Sequence, residues 1–301
     1  MKRIFLLIAT NFAVLTLLSL AIQIFGIDNW LAERGQNYQA LLVISALFGF
    51  GGAFVSLLIS KWMAKTSMGV RVITQPSNEA ERWLVNTVRS HAQKAGIGMP
   101  EVGVFDSPDP NAFATGASRN AALVAVSTGL LHNMRRDEVE AVLGHEVAHV
   151  ANGDMVTLTL IQGVLNTFVI FLARIIGGLV DSATRGNNDN RGAGIGYFVT
   201  VMAAQVVLGL LASMIVAWFS RRREFRADAG GAELAGTASM IGALAALKRA
   251  HTPSQLPESM KAFGINSESP GALQRLLMSH PPLDERIAAL EQRTATLGRA
   301  S

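Results

Sequence analysis

Four apolar runs dominate the sequence: Ile4–Phe25, Gln39–Ser60, Met155–Val180 and Ile195–Ser220. Each reaches the roughly 20 apolar residues that a helix needs to cross a bilayer. The fold must therefore pass these runs through lipid and gather its polar residues outside. Half of the 301 residues are apolar and mean hydropathy is +0.33, too high for an ordinary soluble domain. Ser19-Leu20-Ala21 has the small-residue pattern of a signal-peptide cleavage site. The run continues past it through Ile22, Ile24 and Phe25, so the first span is expected to stay.

Charge then orients the spans. The net charge of +4 and pI near 9.8 raise the question of nucleic-acid binding, but the placement of the basic residues argues against it. Lys2, Arg3, Lys61, Lys65, Arg221, Arg222, Arg223 and Arg226 all flank apolar runs. That is where the preference of Lys and Arg for the cytoplasmic side puts them. Gly26–Tyr38 carries Arg34 alone, and Asp181–Gly194 only Arg185 and Arg191. Both termini, and everything between the second and third spans, are therefore expected in the cytoplasm.

This gives a four-part organisation: a transmembrane hairpin over 1–60, a first polar part over 61–154, a second hairpin over 155–220 and a second polar part over 221–301. The expected class is an α+β membrane protein with four transmembrane helices and its polar domain on the cytoplasmic face. Strands are expected at Val70–Thr74, Glu101–Phe105 and Ala121–Ser127. Asn78 with Glu81 predicts a capping box opening a helix through Lys94, and a second helix runs from Asp137 to Val150. Ala- and Leu-rich periodicity predicts helix around Glu233–Ala250 and Leu283–Leu297. Thr252–Pro270 reads as a surface loop or flap.

There are no cysteines, so disulfides and thiolate metal sites are excluded. A nitrogen and oxygen site is offered instead by His145-Glu146-Val147-Ala148-His149. On a helix, positions i and i+4 share a face, so both imidazoles can reach one ion. Glu146 projects to the side, where it can take a proton from water activated by zinc. Val139, Val142, Leu143, Val147 and Val150 make the rest of the helix apolar, and buried histidines need partners.

A catalytic zinc site usually has three protein ligands and one open position. After His149 come Ala151-Asn152-Gly153-Asp154 and then a span, with no third histidine at the metzincin spacing. Glu224, just beyond the fourth span, is the candidate, because an antiparallel hairpin of spans three and four returns it to the face that holds His149. The competing reading pairs Glu224 only with nearby arginines. Asp228, one turn further, is placed to orient a ligand imidazole.

Together, the His-Glu-x-x-His helix, the downstream Glu224-x-x-x-Asp228 and four spans resemble the HtpX-type membrane metalloproteases, relatives of the CAAX prenyl endopeptidases. Asn111-Ala112-Phe113-Ala114 resembles that family's edge-strand segment, and Ser279-His280-Pro281-Pro282 with Arg286 its C-terminal His-Pro segment. The resemblance implies a gluzincin-like fold, one Zn2+ per subunit and a bacterial inner-membrane location. It also implies polypeptide substrates, membrane proteins among them, and a role in clearing damaged ones. Asn111 could donate its amide to substrate or oxyanion, or close an Asx turn after Pro108 and Pro110. His280 could support the tetrahedral intermediate, or be fixed structurally before Pro281. Arg286 is expected to pair with a buried carboxylate, with Asp228 the candidate.

The other histidines, His91, His132 and His251, lack metal spacing and are expected to be exposed. Arg174 should snorkel. Gly49, Gly51, Gly52, Gly177 and Gly178 are expected to let helices pack closely. A non-enzymatic scaffold holding zinc for structure would need a fourth protein ligand, and the sequence offers none.

Overall fold

The computed structural model describes Ile24 and residues 37–184, 194–250 and 272–297. The expected first span and the Thr252–Pro270 segment lie outside the described residues, apart from Ile24. Two compact units emerge, one from Met1–Ser56 with Thr157–Val216, the other from Leu57–Val156 with Ala217–Ser301.

The first unit is built from long apolar helices. Among the described residues three helices are long and apolar enough to cross a membrane: α1 (Tyr38–Ser67), α5 (Asp154–Thr184) and α6 (Ile195–Ala235). Only some of the expected glycines serve close packing. A Cβ on Gly49 would lie 2.4 Å from Thr167 Oγ1, and one on Gly177 2.4 Å from Val201 Cγ2. Gly51 and Gly52 have nothing within 4 Å, so these two glycines do not mark a helix contact among the described residues. Gly163 does, because its Cβ would fall 2.6 Å from the Phe50 ring.

The second unit combines a mixed sheet with helices. The strands are β1 (Arg71–Val72), β2 (Glu101–Phe105), β3 (Ala112–Thr115) and β4 (Leu123–Ser127), in the order β1-β2-β4-β3. Strands β2 and β4 are parallel, whereas β1 on β2 and β3 on β4 are antiparallel. β4, the most apolar, is buried throughout. β1 is shorter than expected: Ile73 still bonds the Val102 carbonyl, and Pro76 soon ends extended pairing.

Side chains alternate across the sheet, as a period of two requires. Val102, Val124 and Val126 face the main core, while Phe105, Leu123, Ala125 and Phe113 face the other side. The main core is closed by α2 (Glu79–Lys94) and α4 (Arg136–Asn152), with α7 (Thr237–Ala250) and α9 (Leu283–Leu297) behind. Two short helices, α3 (Thr128–Asn133) and α8 (Ala272–Leu277), complete the described elements.

Local chemistry sets these boundaries. Asn78 caps α2 by accepting from the Glu81 amide at 2.8 Å. The return bond is displaced by one residue, because Glu81 accepts from the Ser77 amide and hydroxyl. At the start of α4, the Glu138 carboxylate accepts from the Arg135 amide. The helix expected over Glu233–Ala250 is broken at Gly236, whose φ of 96° ends α6 and lets α7 begin.

His91 departs from expectation. It is fully buried rather than exposed, and its Nε2 lies 3.1 Å from the Glu140 carbonyl it bonds. Leu84, Val88 and His91 fall on one stripe of α2, and that stripe packs on α4, so spacing carries the ring inward. Burial pulls its pKa down. His132 is exposed as expected, and His251 is outside the described residues.

Candidate functional site

The site forms where α4 crosses the far part of α6. Helix α6 does not stop at Ser220 but runs on to Ala235, carrying Glu224 and Asp228 past α4. Small residues make the crossing close. A Cβ on Gly231 would sit 3.0 Å from the His145 amide nitrogen, and one on Gly230 would sit 2.7 Å from Ala148 Cβ. No larger side chain fits there without moving α4.

Three ligand-type groups converge at this crossing. The Nε2 atoms of His145 and His149 are 3.1 Å apart, with rings nearly perpendicular at 88°. Glu224 places Oε1 3.3 Å from His149 Nε2 and Oε2 3.5 Å from His145 Nε2. One ligand atom from each of the three lies within 4.8 Å of the others.

Each imidazole is held from behind by its own carboxylate. His145 Nδ1 is 3.0 Å from Asp228 Oδ1, and His149 Nδ1 is 2.6 Å from Asp154 Oδ2. Donating Nδ1–H to these groups leaves the Nε2 lone pairs aimed at the convergence. Asp228 in turn accepts two bonds from Arg286, at 2.8 Å from Nε and 2.6 Å from Nη2, the pairing expected from sequence. Asp154 is the one carboxylate of this cluster that the sequence reading passed over. Its one visible sign is an acidic residue directly after the glycine that ends the His-Glu-x-x-His helix.

The donor set suits a divalent cation. Glu224 is 2% exposed, and its Oε2 makes no hydrogen bond of acceptable geometry among the described residues, although His280 Nδ1 lies 2.9 Å, Arg286 Nη1 3.4 Å and His145 Nε2 3.5 Å away. A cation at the convergence would satisfy it together with both imidazoles. Two nitrogens and a carboxylate, without thiolate, match a three-ligand catalytic zinc set.

Electrostatics point the same way. Burial pulls the His149 imidazole down, but its bonds to Asp154 and Glu224 outweigh this and hold it up at about 10. Burial likewise opposes protonation of His145, yet Asp228 and Glu224 raise it. Burial pulls the Arg286 guanidinium down, but Asp228, with Glu224 and Glu146, raises it on balance. The pocket thus has a strong appetite for positive charge.

A cleft of about 700 Å³ opens in front of this cluster. Glu146 is half-buried and lines it, as do Asn111, Ala112 and His280. Leu130, Val142, Met240 and Leu244 form an apolar wall. The Asn111 side chain makes no hydrogen bond among the described residues, so it closes no Asx turn. The nearby turn is held instead by Ser107, bonding the Asp109 amide, and by Ser127, bonding the Asp109 carbonyl and the Asn111 amide. Phe113 turns away from the cleft and packs on Phe105, while Ala114 faces the core side with Ala112.

β3 is an edge strand, paired only with β4 among the described residues. The bond from the Ser127 amide to the Asn111 carbonyl fixes the register. Antiparallel alternation then directs the main-chain groups of Ala112 and Ala114 away from β4.

Residues 78–294 match the model for peptidase family M48. The chain is 61% identical over 293 residues to a protein named Protease HtpX from Thioalkalivibrio sulfidiphilus, covering 97% of this chain and 99% of that one. It is 60% identical over 290 residues to a Protease HtpX homolog from Thiobacillus denitrificans, covering 96% of this chain and 99% of the relative. Among solved structures, S. mikatae Ste24p superposes with a TM-score of 0.61 at 19% identity, over 95% of this chain and 66% of that one, which bears on fold alone. With its His-His-Glu cluster and three long apolar helices, the chain belongs to peptidase family M48 and is a membrane metalloprotease.

Proposed function

We propose that this protein is a zinc-dependent endopeptidase that cuts misfolded or damaged membrane proteins at the cytoplasmic face of a bacterial inner membrane. The observation that carries the reading is the convergence of His145, His149 and Glu224 within 4.8 Å at the floor of a cleft beside a strand edge that no other described strand pairs. Those three residues would hold the ion. Bound there, zinc supplies Lewis acidity to water and to the scissile carbonyl.

The chain's own residues do the rest. The Glu146 carboxylate accepts the proton of the attacking water and returns it to the leaving amine. Ala112 and Ala114 pair with the substrate backbone along β3, which presents one peptide bond to the cluster. The Asn111 amide donates to the substrate carbonyl or the oxyanion that forms from it, and His280 adds a second donor. Asp228 keeps His145 in register, and Arg286 keeps Asp228 ionised and in place. The apolar wall favours apolar substrate side chains, which segments that have slipped out of a bilayer supply.

In this reading four helices span the membrane, the first being Ile4–Phe25, and both catalytic parts, 61–154 and 221–301, are cytoplasmic. Support comes from the Lys and Arg asymmetry.

Casein cleavage by detergent-purified protein, first stripped with a chelator and then given zinc, tests the proposal. Activity should vanish on stripping and return with zinc. Full activity in the stripped protein would end the metal reading.

A further inference from the structure

Behind His149 stands a buried carboxylate to which the mechanism above gives no role. Asp154 is 2% exposed, and its Oδ2 is 2.6 Å from His149 Nδ1. It gets there because α4 stops at Gly153, whose φ of 67° and ψ of 35° are left-handed and suit glycine. The Gly153 amide bonds back to the His149 and Val150 carbonyls. This single-residue break folds the first residue of α5 against the last turn of α4. With Nδ1–H given to Asp154, the His149 Nε2 lone pair is left facing His145 Nε2 and Glu224.

The Asp154 main chain is itself anchored. Arg223, the residue before Glu224 on α6, donates Nη1 to the Asp154 carbonyl at 3.1 Å and Nη2 to Ser220 Oγ at 3.1 Å. The turn of α6 that presents Glu224 is therefore bonded to the residue that orients His149. A ligand from one helix is placed relative to a ligand from another through one guanidinium and one carboxylate.

We propose that Asp154 is a positioning residue for His149 and that Arg223 acts through it, so that Arg223, Asp154 and His149 form a relay setting the spacing of His149 and Glu224. The relay rests on the metal-site reading above. Neither Arg223 nor Asp154 lines the cleft, so both would act on metal affinity before they act on substrate.

Zinc affinity of the full chain in detergent, by competition with a chromophoric chelator, is the readout, with the absorption spectrum of the cobalt(II)-loaded protein beside it. Asp154→Asn should weaken zinc binding about 10–100-fold and shift the cobalt bands. Asp154→Glu keeps the carboxylate but moves it by a methylene, and should fall between the Asn variant and wild type. It serves in place of the Asn variant should that one misfold. Arg223→Ala should weaken binding less, with partial recovery in Arg223→Lys. Because Arg223 acts through Asp154, the double variant should bind within about twofold of Asp154→Asn alone.

Wild-type zinc affinity and an unchanged cobalt spectrum in Asp154→Asn would overturn the role of Asp154. Multiplying effects in the double variant would overturn the link through Arg223. If Glu224→Ala binds zinc as wild type does, the metal site fails and the relay with it. If Glu224→Ala weakens binding and both Asp154 variants do not, the metal site stands and the relay alone falls.

Discussion

Replacing Glu146 with Gln keeps the side chain's size and removes its basicity. Zinc content should be unchanged by metal analysis, while casein cleavage should fall about 10²–10⁴-fold, the usual worth of general acid–base catalysis. A variant retaining more than about a tenth of wild-type rate would contradict that role. Asp228 tests a different balance. It is 1% exposed and pairs with the buried Arg286, whose Nη1 also lies 3.4 Å from Glu224 Oε2, so Asp228→Ala removes the main partner of a buried cation as well as loosening His145. Breaking a buried pair outright costs about 3–5 kcal/mol, and the remaining contact to Glu224 offsets part of it. Melting in detergent should therefore drop together with zinc affinity, and a drop in affinity alone would show that the ion pair adds nothing to folding. Glu81 tests pH. The Ser77 amide, then the Arg71 guanidinium and the Ser77 hydroxyl, hold its carboxyl at about 2 instead of 4.5. A depressed carboxylate stabilises the folded form above its unfolded value. Its contribution should be complete above about pH 4.5 and disappear as pH falls through about 2. The melting difference between wild type and Glu81→Gln should shrink over that window, and a constant difference would reject the assignment.

Among elements, β3 carries the clearest test. Ala114 directs its amide away from β4, so proline there removes an outward donor and spares the ladder. Ala114→Pro should fold normally and lose about tenfold in kcat/KM on peptide substrates, in line with about 1.4 kcal/mol for a hydrogen bond. Phe113→Pro, which breaks an inward bond to β4, should instead unfold the edge. Equal damage from both would mean that β3 is structural only. Helix α6 shows how length serves the site. Its 41 residues span roughly 60 Å at 1.5 Å per residue, about twice the hydrocarbon core of a bilayer. The excess turns carry Glu224 and Asp228, and Gly230 and Gly231 let α4 come near enough to meet them.

For the whole molecule, the question is which side of the membrane the cleft faces. His149 lies six residues before the expected third span and Glu224 four after the fourth, within roughly 9 Å of a span end at helical rise. Substrates would then present an extended segment just above the headgroups. The absence of native cysteine makes single cysteines clean probes. Asn188→Cys should react with an impermeant maleimide on intact cells, whereas Ser107→Cys and Ser254→Cys should react only after lysis. Labelling of Ser107→Cys in sealed cells would place the catalytic unit outside and remove cytoplasmic quality control from consideration.

The sequence by itself determined what depends on spacing along one element. Apolar length marked α1, α5 and α6, short Val-rich runs marked β2 and β4, and the i, i+4 rule put His145 and His149 on one face. Even the bounds of α9, Leu283–Leu297, were legible in its periodicity. What only the tertiary structure decided depends on which distant residues meet. Arg223 and Asp154 are 69 positions apart, and no local pattern ranks such partners. The burial of His91, and the lack of any described neighbour at Gly51 and Gly52, are decided likewise, by the surroundings and not by the residue. Helical and extended periods are properties of one backbone and can be read from a single segment. Charge pairing and close approach are properties of two, and exist only once the chain has folded.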